Sequence, residues 1–402
     1  MKILYTHRTQ GQGAEGAHVA GMVEAFRGLG HTVLVDCLAA CDPTIPPIVT
    51  TQASTSNAAL SGSAITRALR SIARHAPQWL FGVLELLYNL PLALRLVPIL
   101  RRERPLLVYE RYSLCTFAPA LACRWLGIAH VLEVNDSVVI ERSRPLKLAR
   151  TARFIEQRVV NWTGLVITVS QQFRSQLIQG LTLSADKVVV CPNAVSRPRF
   201  IDRQALNPHE RQLRRLTMGV SSRRVIGSAG QFVPWHGLPK FLAAAASTIK
   251  SMDLFVLFIG DGPTRDETLA VAKQHGIAER VRFTGMVHHT AVPGYLDLLD
   301  LAIIPFSNIH GSPMKLMEFM AMGLPVLAPA LQPVLGVVQD GETGFVFPCD
   351  DMPAMVSAMA SCFDQPELMA RVGQQARSYA ASHLTWDVHA RTILQHMGCI
   401  DK

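Results

Sequence analysis

Short apolar runs alternate along the chain with segments of helical spacing. Lys2–Thr6 (KILYT) reads as a strand and Gly13–Gly28 as a helix, with Val19, Met22, Val23 and Phe26 on one face; Thr32–Val35 is the next strand. Strand-like runs return at Leu106–Tyr109, His130–Val134, Leu165–Val169 and Lys187–Val190, with helical patterns over Thr116–Leu126 and Leu146–Asn161. Residues 43–63 are rich in Pro, Ser and Thr without periodicity and read as a long loop. Residues 196–224 are polar, basic and aperiodic, a linker with one helix. A second series follows, with runs at Val225–Ser228, Leu254–Ile259, Val281–Thr284, Leu301–Ile304, Pro325–Ala328 and Gly344–Phe347. Strand and helix in alternation predict parallel sheets covered by helices, here as two α/β domains. Ligands of such sheets bind beyond the carboxyl ends of the strands, so both halves are expected to face one crevice.

One segment breaks the alternation. Residues 79–100, WLFGVLELLYNLPLALRLVPIL, approach the length of a membrane-spanning helix. Glu85, Asn89, Arg95, Pro91 and Pro98 interrupt it, and a charge at the bilayer centre costs about 2.5 kcal/mol or more. Spanning is therefore not expected. Arg67, Arg70 and Arg74 precede the run and Arg101, Arg102 and Arg104 follow it, as in an interfacial element. The alternative is a pair of amphipathic helices packed on a sheet.

Charge sharpens this picture. The net charge of +9 is confined to one half: residues 1–200 hold 22 Lys+Arg against 12 Asp+Glu, residues 201–402 hold 17 against 18. The excess gathers around 64–104 and 142–158 and suggests an anionic partner for the first half, a membrane surface or an anionic lipid-linked molecule. No interleaved basic and aromatic platform is visible, so nucleic acid is not expected. The eight cysteines include no C-x-x-C, zinc-ligand spacing is missing, and the opening MKILYT has no signal-peptide pattern. The expected setting is the cytoplasm, peripheral to the inner face of the cytoplasmic membrane.

Two places carry candidate chemistry. Gly11, Gly13 and Gly16 form G-x-G-x-x-G after a strand and before a helix, with Asp36 ending the next strand. His7, Arg8, Thr9 and Gln10 separate the strand from Gly11, too many for the dinucleotide fingerprint, so a general phosphate cradle or a plain turn competes with it. The second place is GSPMKLMEFMAMGLP, residues 311–325. Ser312 suits the N-cap, Pro313 the first helical position and Gly323 the C-terminal cap. The backbone N–H groups of Met314 and Lys315 would then be free for a phosphate, with the Lys315 cation beside them. Glu318, one turn on among Leu316, Met317, Phe319 and Met320, could accept from both hydroxyls of a ribose, in bonds worth about 1.5–3 kcal/mol each when desolvated. Gly260-Asp261-Gly262-Pro263 and the glycine turn of VRFTGMV (281–287) add loops at the same sheet edge.

Taken in order, KILYTHRTQGQGAEGAHV, VYERYS, VLEVND, PNAV, GQFVPWHG, IGDGP, RFTG, SPMKLMEFMAMGLPV and GETGFVF resemble the family 4 retaining glycosyltransferases, of the bacterial exopolysaccharide or lipid-linked glycan type. The resemblance covers essentially the whole chain. It implies the GT-B fold, two Rossmann-like α/β domains about a central cleft. Residues 1–200 would bind the acceptor, 201–375 the nucleotide sugar, and 376–402 would form a helical segment returning to the first domain. It implies transfer from a nucleoside diphosphate sugar, UDP favoured over GDP, to a glycan or lipid-linked acceptor, without a metal or cofactor and with domain closure over the site. Carried over by position, Glu318 would hold the ribose, Gly13 would lie near the diphosphate, and Gly285 and Val287 would line the base. Met314, Ser312, Asp261 and Gly262 complete the donor site, and Lys315, His236, Asn135 and Asp136 are the candidate catalytic residues. Asn135 stands where many members have histidine. His310 takes the first place of the family's Glu-x7-Glu pair, and Gln231 and His236 replace a diphosphate-binding arginine and lysine. These departures keep open a sugar-nucleotide-binding protein without turnover. A dinucleotide oxidoreductase using Gly11–Gly16 is the further alternative.

Overall fold

The structure, a computed structural model, describes residues 1–9, 13–37, 78–140, 148–196, 208–220, 223–307, 309 and 311–399. Gly11, His310, all of residues 43–63 and the arginines at 67, 70 and 74 lie outside the described residues. The chain divides into two compact units. Unit 1 comprises Met1–Thr168, Phe173–Val190 and Ile393–Lys402; unit 2 comprises Val169–Gln172 and Cys191–Thr392.

Each unit holds a six-stranded parallel sheet. In unit 1 the strands are β1 (Lys2–His7), β2 (Thr32–Cys37), β3 (Leu107–Arg111), β4 (Ala129–Val134), β5 (Leu165–Thr168) and β6 (Val188–Val190), in the order β2-β1-β3-β4-β5-β6. In unit 2 they are β7 (Arg224–Ala229), β8 (Leu254–Ile259), β9 (Val281–Phe283), β10 (Leu301–Ile303), β11 (Val326–Pro329) and β12 (Phe345–Phe347), in the order β12-β11-β10-β7-β8-β9. The chain reverses its direction of travel across each sheet once, between β1 and β3 and between β7 and β10. A cradle opens beyond the strand ends at such a reversal.

Parallel strands covered on both faces are buried along their length, which is why continuous apolar runs marked them so well. All six residues of β8 are buried. One difference matters for the site. β3 continues past Tyr109 to Arg111, and its register pairs Arg111 with Glu133 of β4. Glu110 and Arg111 extend the strand because each finds a polar partner on β4: Glu110 meets His130 Nε2 at 3.0 Å and Arg111 pairs with Glu133.

The helix after β10 also departs from expectation. It runs Met314–Ala321, with Pro313 in extended conformation at its cap position. Ser312 is not the N-cap: its hydroxyl accepts from the Asn193 backbone N–H at 3.1 Å, and the Asn193 side-chain amide donates to the Ser312 carbonyl. Gly323 closes the helix as expected, at φ +65°.

Residues 79–100 fall into two helices, Gln78–Leu87 and Asn89–Glu103, joined at Tyr88. Asn89 is buried and pins the joint: it donates to the Cys115 carbonyl at 2.9 Å and accepts from the Phe117 and Ala118 N–H groups at 2.7 and 3.0 Å. Leu92, Leu96 and Leu100 are buried, the last two against Leu4, Val108, Ala122 and Cys123 of the core.

Candidate functional site

At the strand reversal of unit 2, three loops are laced together by backbone. The Gly230 N–H donates to the Ile259 carbonyl and the Phe232 N–H to the Asp261 carbonyl, both at 2.9 Å. The Gly260 N–H donates to the Thr284 hydroxyl at 2.9 Å. Gly260 sits at φ +132°, and a Cβ there would lie 2.1 Å from the Gly230 carbonyl oxygen, so only glycine lets the first two loops approach so closely. Phe232, fully buried between Phe258 and Phe283 at 5.5 and 5.6 Å, anchors the first loop to the core.

Over this floor stands the start of the Met314–Ala321 helix. The Met314 and Lys315 N–H groups have no intrahelical acceptor and carry the positive end of the helix dipole. The Lys315 side chain reaches back toward Gly230: a Cβ on that glycine would lie 3.9 Å from Nζ. Lys315 Nζ lies 3.3 Å from His236 Nε2. Burial pulls the lysine down to about 8, with Glu318 acting in the opposite sense. Burial, and then the Lys315 charge, lower His236 to about 4, while a hydrogen bond to the Gln231 backbone works against them. At neutral pH the pair is thus a cation resting on a neutral imidazole.

Glu318, one turn deeper, lines a small pocket with Val195, Val292, Pro293, Leu296, Ala321 and Met322. A carboxylate set among apolar walls can take ribose hydroxyls while the walls cover the flat parts of a nucleoside. Gly285 turns at φ +72° beside Asp261, and Val287 is half-buried against the core. Asp261 is a brace: one oxygen accepts from the Gly262 N–H at 2.9 Å, and the other pairs with Arg265 at 3.1 Å. Gln231 is exposed. Lys315, His236, Met314 and Glu318 are therefore brought together on one face of the unit, with Gln231, Gly285, Asp261 and Gly262 on its adjoining loops. Ser312 is engaged by Asn193 instead. Gly230 and Val195 were not among the expected site residues; Gly230 opens the quoted GQFVPWHG, where a glycine directly after a buried strand was the available signal.

Unit 1 carries a second polar centre at its own strand reversal. Glu133, 1% exposed, receives the Tyr109 hydroxyl at 2.8 Å, Arg111 Nη1 at 2.5 Å, His18 Nε2 at 2.9 Å and the Asn135 side-chain amide. Burial alone would raise its carboxyl; His18 and Arg111 overcome this and hold it well below the usual carboxylate range. Asn135 and Asp136 follow at the open end of β4, both half-buried. Gly13 begins the Gly13–Gly28 helix that supplies His18. Glu133, Arg111 and His18 were absent from the expected site, although a lone glutamate near the carboxyl end of an apolar strand was visible in VLEVND. Asp36, which a dinucleotide reading needs for a ribose, is buried and held by Arg95 Nε at 2.8 Å. Among the described residues, no three His, Cys, Asp or Glu side chains cluster as metal ligands.

Comparison with known proteins covers both halves. The family model "Glycosyltransferase Family 4" matches residues 16–198, and "Glycosyl transferases group 1" matches residues 218–379. An alpha-D-kanosaminyltransferase of Streptomyces kanamyceticus is 24% identical over 66% of this chain and 69% of its own. A GDP-mannose-dependent alpha-(1-6)-phosphatidylinositol monomannoside mannosyltransferase of Mycolicibacterium smegmatis is 26% identical over 60% of this chain, which spans 63% of that relative. Among solved structures, Anabaena Alr3699/HepE in complex with UDP superposes with a TM-score of 0.74 at 17% identity, covering all of both chains. The sucrose-phosphate synthase of Thermosynechococcus elongatus gives 0.70 at 16% identity, over 99% of this chain and 98% of its own.

Proposed function

We propose, on the premise that this chain belongs to the family 4 glycosyltransferases of GT-B type whose models match both of its halves, that it moves a sugar from a UDP-linked donor to a glycan or lipid-linked acceptor with retention at the anomeric carbon. One observation carries the donor site: an uncapped helix start, a half-buried lysine and a glycine floor converge at the strand reversal of unit 2. That is a site for a diphosphate, with Glu318 placed for the ribose. The UDP held by the Anabaena neighbour supports uridine over guanosine; the GDP-mannose dependence of the mycobacterial relative keeps GDP as the competing base.

In the reaction proposed, the bond from the anomeric carbon to the diphosphate oxygen breaks on the face where the acceptor oxygen bonds. The acceptor hydroxyl passes its proton to the departing phosphate. Charge builds on the diphosphate, and the protein's task is to stabilise it. Lys315 and the Met314 and Lys315 N–H groups do this; neutral His236 orients the ammonium. No step assigned to this chain's residues needs a metal or cofactor. Asn135 and Asp136 are assigned to the sugar and the acceptor.

A thermal-shift series with UDP, GDP and their sugar conjugates tests the reading, because a ligand of the native state raises the melting point. UDP is expected to raise it, and Glu318→Gln to weaken that rise by about tenfold in affinity. No shift with any nucleotide would remove the donor assignment. Transfer followed by assignment of the product anomer then tests retention. A binding protein without turnover is favoured by one feature, neutral Gln231 and His236 where a diphosphate site would gain from cations. Tight UDP binding with neither transfer nor donor hydrolysis would decide for it.

A further inference from the structure

The helices that carry residues 82–103 have two unlike faces. Leu92, Leu96 and Leu100 are buried, and Arg95 is tied to buried Asp36. On the other side Leu84, Leu87, Pro91, Leu94, Pro98 and Arg101 are exposed, spaced alternately by three and four residues, so they form one continuous row. Leu87 is 59% exposed, Leu94 69%, and Leu90 beside the row 64%. The Ala118–Leu126 helix continues the surface with exposed Leu121 and Trp125. The Arg101 guanidinium lies over the Trp125 ring at 4.8 Å, and Arg124 is exposed next to it. The surface is thus an aliphatic ridge ending in an aromatic residue and a cluster of cations. The glycosyl-transfer chemistry proposed for unit 2 uses none of it.

We propose that this ridge seats unit 1 on the surface of an anionic phospholipid bilayer, with the leucines in the acyl boundary and Arg101 and Arg124 at the headgroups. Charge and shape both fit. Aliphatic side chains with tryptophan at one end and arginines beyond it match the order of acyl chain, interface and phosphate across a leaflet. Pro91 and Pro98 have no N–H, so the Leu87 and Leu94 carbonyls lack their helical donor. At the interface, water satisfies those carbonyls; at the bilayer centre nothing would. The stretch Gly82–Glu103 is long and apolar enough to cross a membrane by length and composition. It lies on the membrane rather than spanning it, because its other face is built into the core of unit 1 and holds the Arg95–Asp36 pair.

Flotation of the full chain with vesicles tests this. Vesicles containing phosphatidylglycerol are expected to carry the protein at low salt, and pure phosphatidylcholine vesicles to carry much less. Leu90→Glu with Leu94→Glu should weaken partitioning by roughly tenfold or more, and Arg101→Glu with Arg124→Glu by about tenfold with loss of the salt dependence. All four residues are exposed, so far-UV circular dichroism and the urea midpoint of both variants should stay unchanged. Brominated acyl chains should quench wild-type fluorescence more than that of Trp125→Phe. The proposal is overturned by no flotation on anionic vesicles at low salt, or by flotation that the leucine variant retains. Resistance to alkaline carbonate extraction would mean a spanning helix instead. A dimer in solution that the leucine variant dissociates, without vesicle binding, would identify a second copy of this chain as the occupant.

Discussion

At the strand reversal of unit 1 the polar floor consists of side chains already matched to one another: Glu133 with Arg111, His18, Tyr109 and Asn135. At that of unit 2 it consists of backbone N–H groups, glycines and a lysine whose nearest hydrogen-bond partner is a neutral imidazole. Each sheet has six parallel strands with a single reversal, although the strand orders differ, yet the electrostatic consequence is opposite. A carboxylate that has absorbed its surrounding cations leaves little field for an incoming anion. Unpaired helix-terminal donors beside a partly desolvated ammonium leave a strong one. The difference fits the proposed division of labour, with a hydroxyl-bearing acceptor on unit 1 and a diphosphate on unit 2. It also explains why net charge is a poor guide to the donor site: the basic half is the one whose site is internally neutralised, and the described arginines of 95–104 and 150–158 are exposed.

Removing Glu133 attacks the neutralised floor most directly. Glu133→Ala strands Arg111 in a buried position and is expected to cost about 3–5 kcal/mol. The loss should appear as faster hydrogen exchange in β3 and β4 with β7 and β8 unaffected. A uniform response across both sheets would contradict their independence. Gly260→Ala tests the other floor, where the added Cβ meets the Gly230 carbonyl; a loss of about 2–3 kcal/mol is expected, confined to unit 2 by the same exchange measurement. Lys315→Met should act with the reverse sign. Its folded pKa of about 8 lies below the ordinary lysine value. Below pH 8 the cation is therefore present in both states, and only the folded state bears its burial. The variant is expected to gain on the order of 2 kcal/mol there, with the gain vanishing as pH rises through the ordinary value. UDP binding should fall at least tenfold in the same variant. A destabilised Lys315→Met that still binds UDP would break the comparison. The smallest effect concerns His236. With its pKa lowered to about 4, the folded state holds fewer protons than the unfolded state between there and about 6.5. Stability is lost as pH falls through that window, by about 1 kcal/mol after allowance for partial exposure, and His236→Asn should flatten the slope seen in acid urea titrations.

Legibility in the sequence followed the physics of each element. Leu254–Ile259 was read residue for residue because a strand buried on both faces must be apolar throughout, and that needs no knowledge of its neighbours. The helix around Glu318 was located, and its closing glycine identified, from local rules. Its start was misread because Ser312 is claimed by Asn193, 119 positions away in sequence, and local capping rules carry no such information. Glu133 was passed over for the same reason. Its meaning depends on Arg111 standing opposite it across the sheet, and that register is fixed only when the strands pair. Lys315 and Glu318 could be paired as candidates from sequence because both lie on one short helix, three residues apart. Residues 79–100 were legible as amphipathic, but which leucines faced outward was settled by the burial of Asn89, Leu92 and Leu96.

The lysine beneath the helix start has a thermodynamic consequence that can be read without following any reaction. Near pH 8 it is only half protonated in the free protein. A diphosphate seated against it favours the charged form, so binding must draw about half a proton from solvent at that pH and almost none at pH 6. The heat of binding will then vary with the ionisation enthalpy of the buffer, and the affinity will decline as the solution is made alkaline. Calorimetry in two buffers thus counts protons taken up at one nitrogen atom.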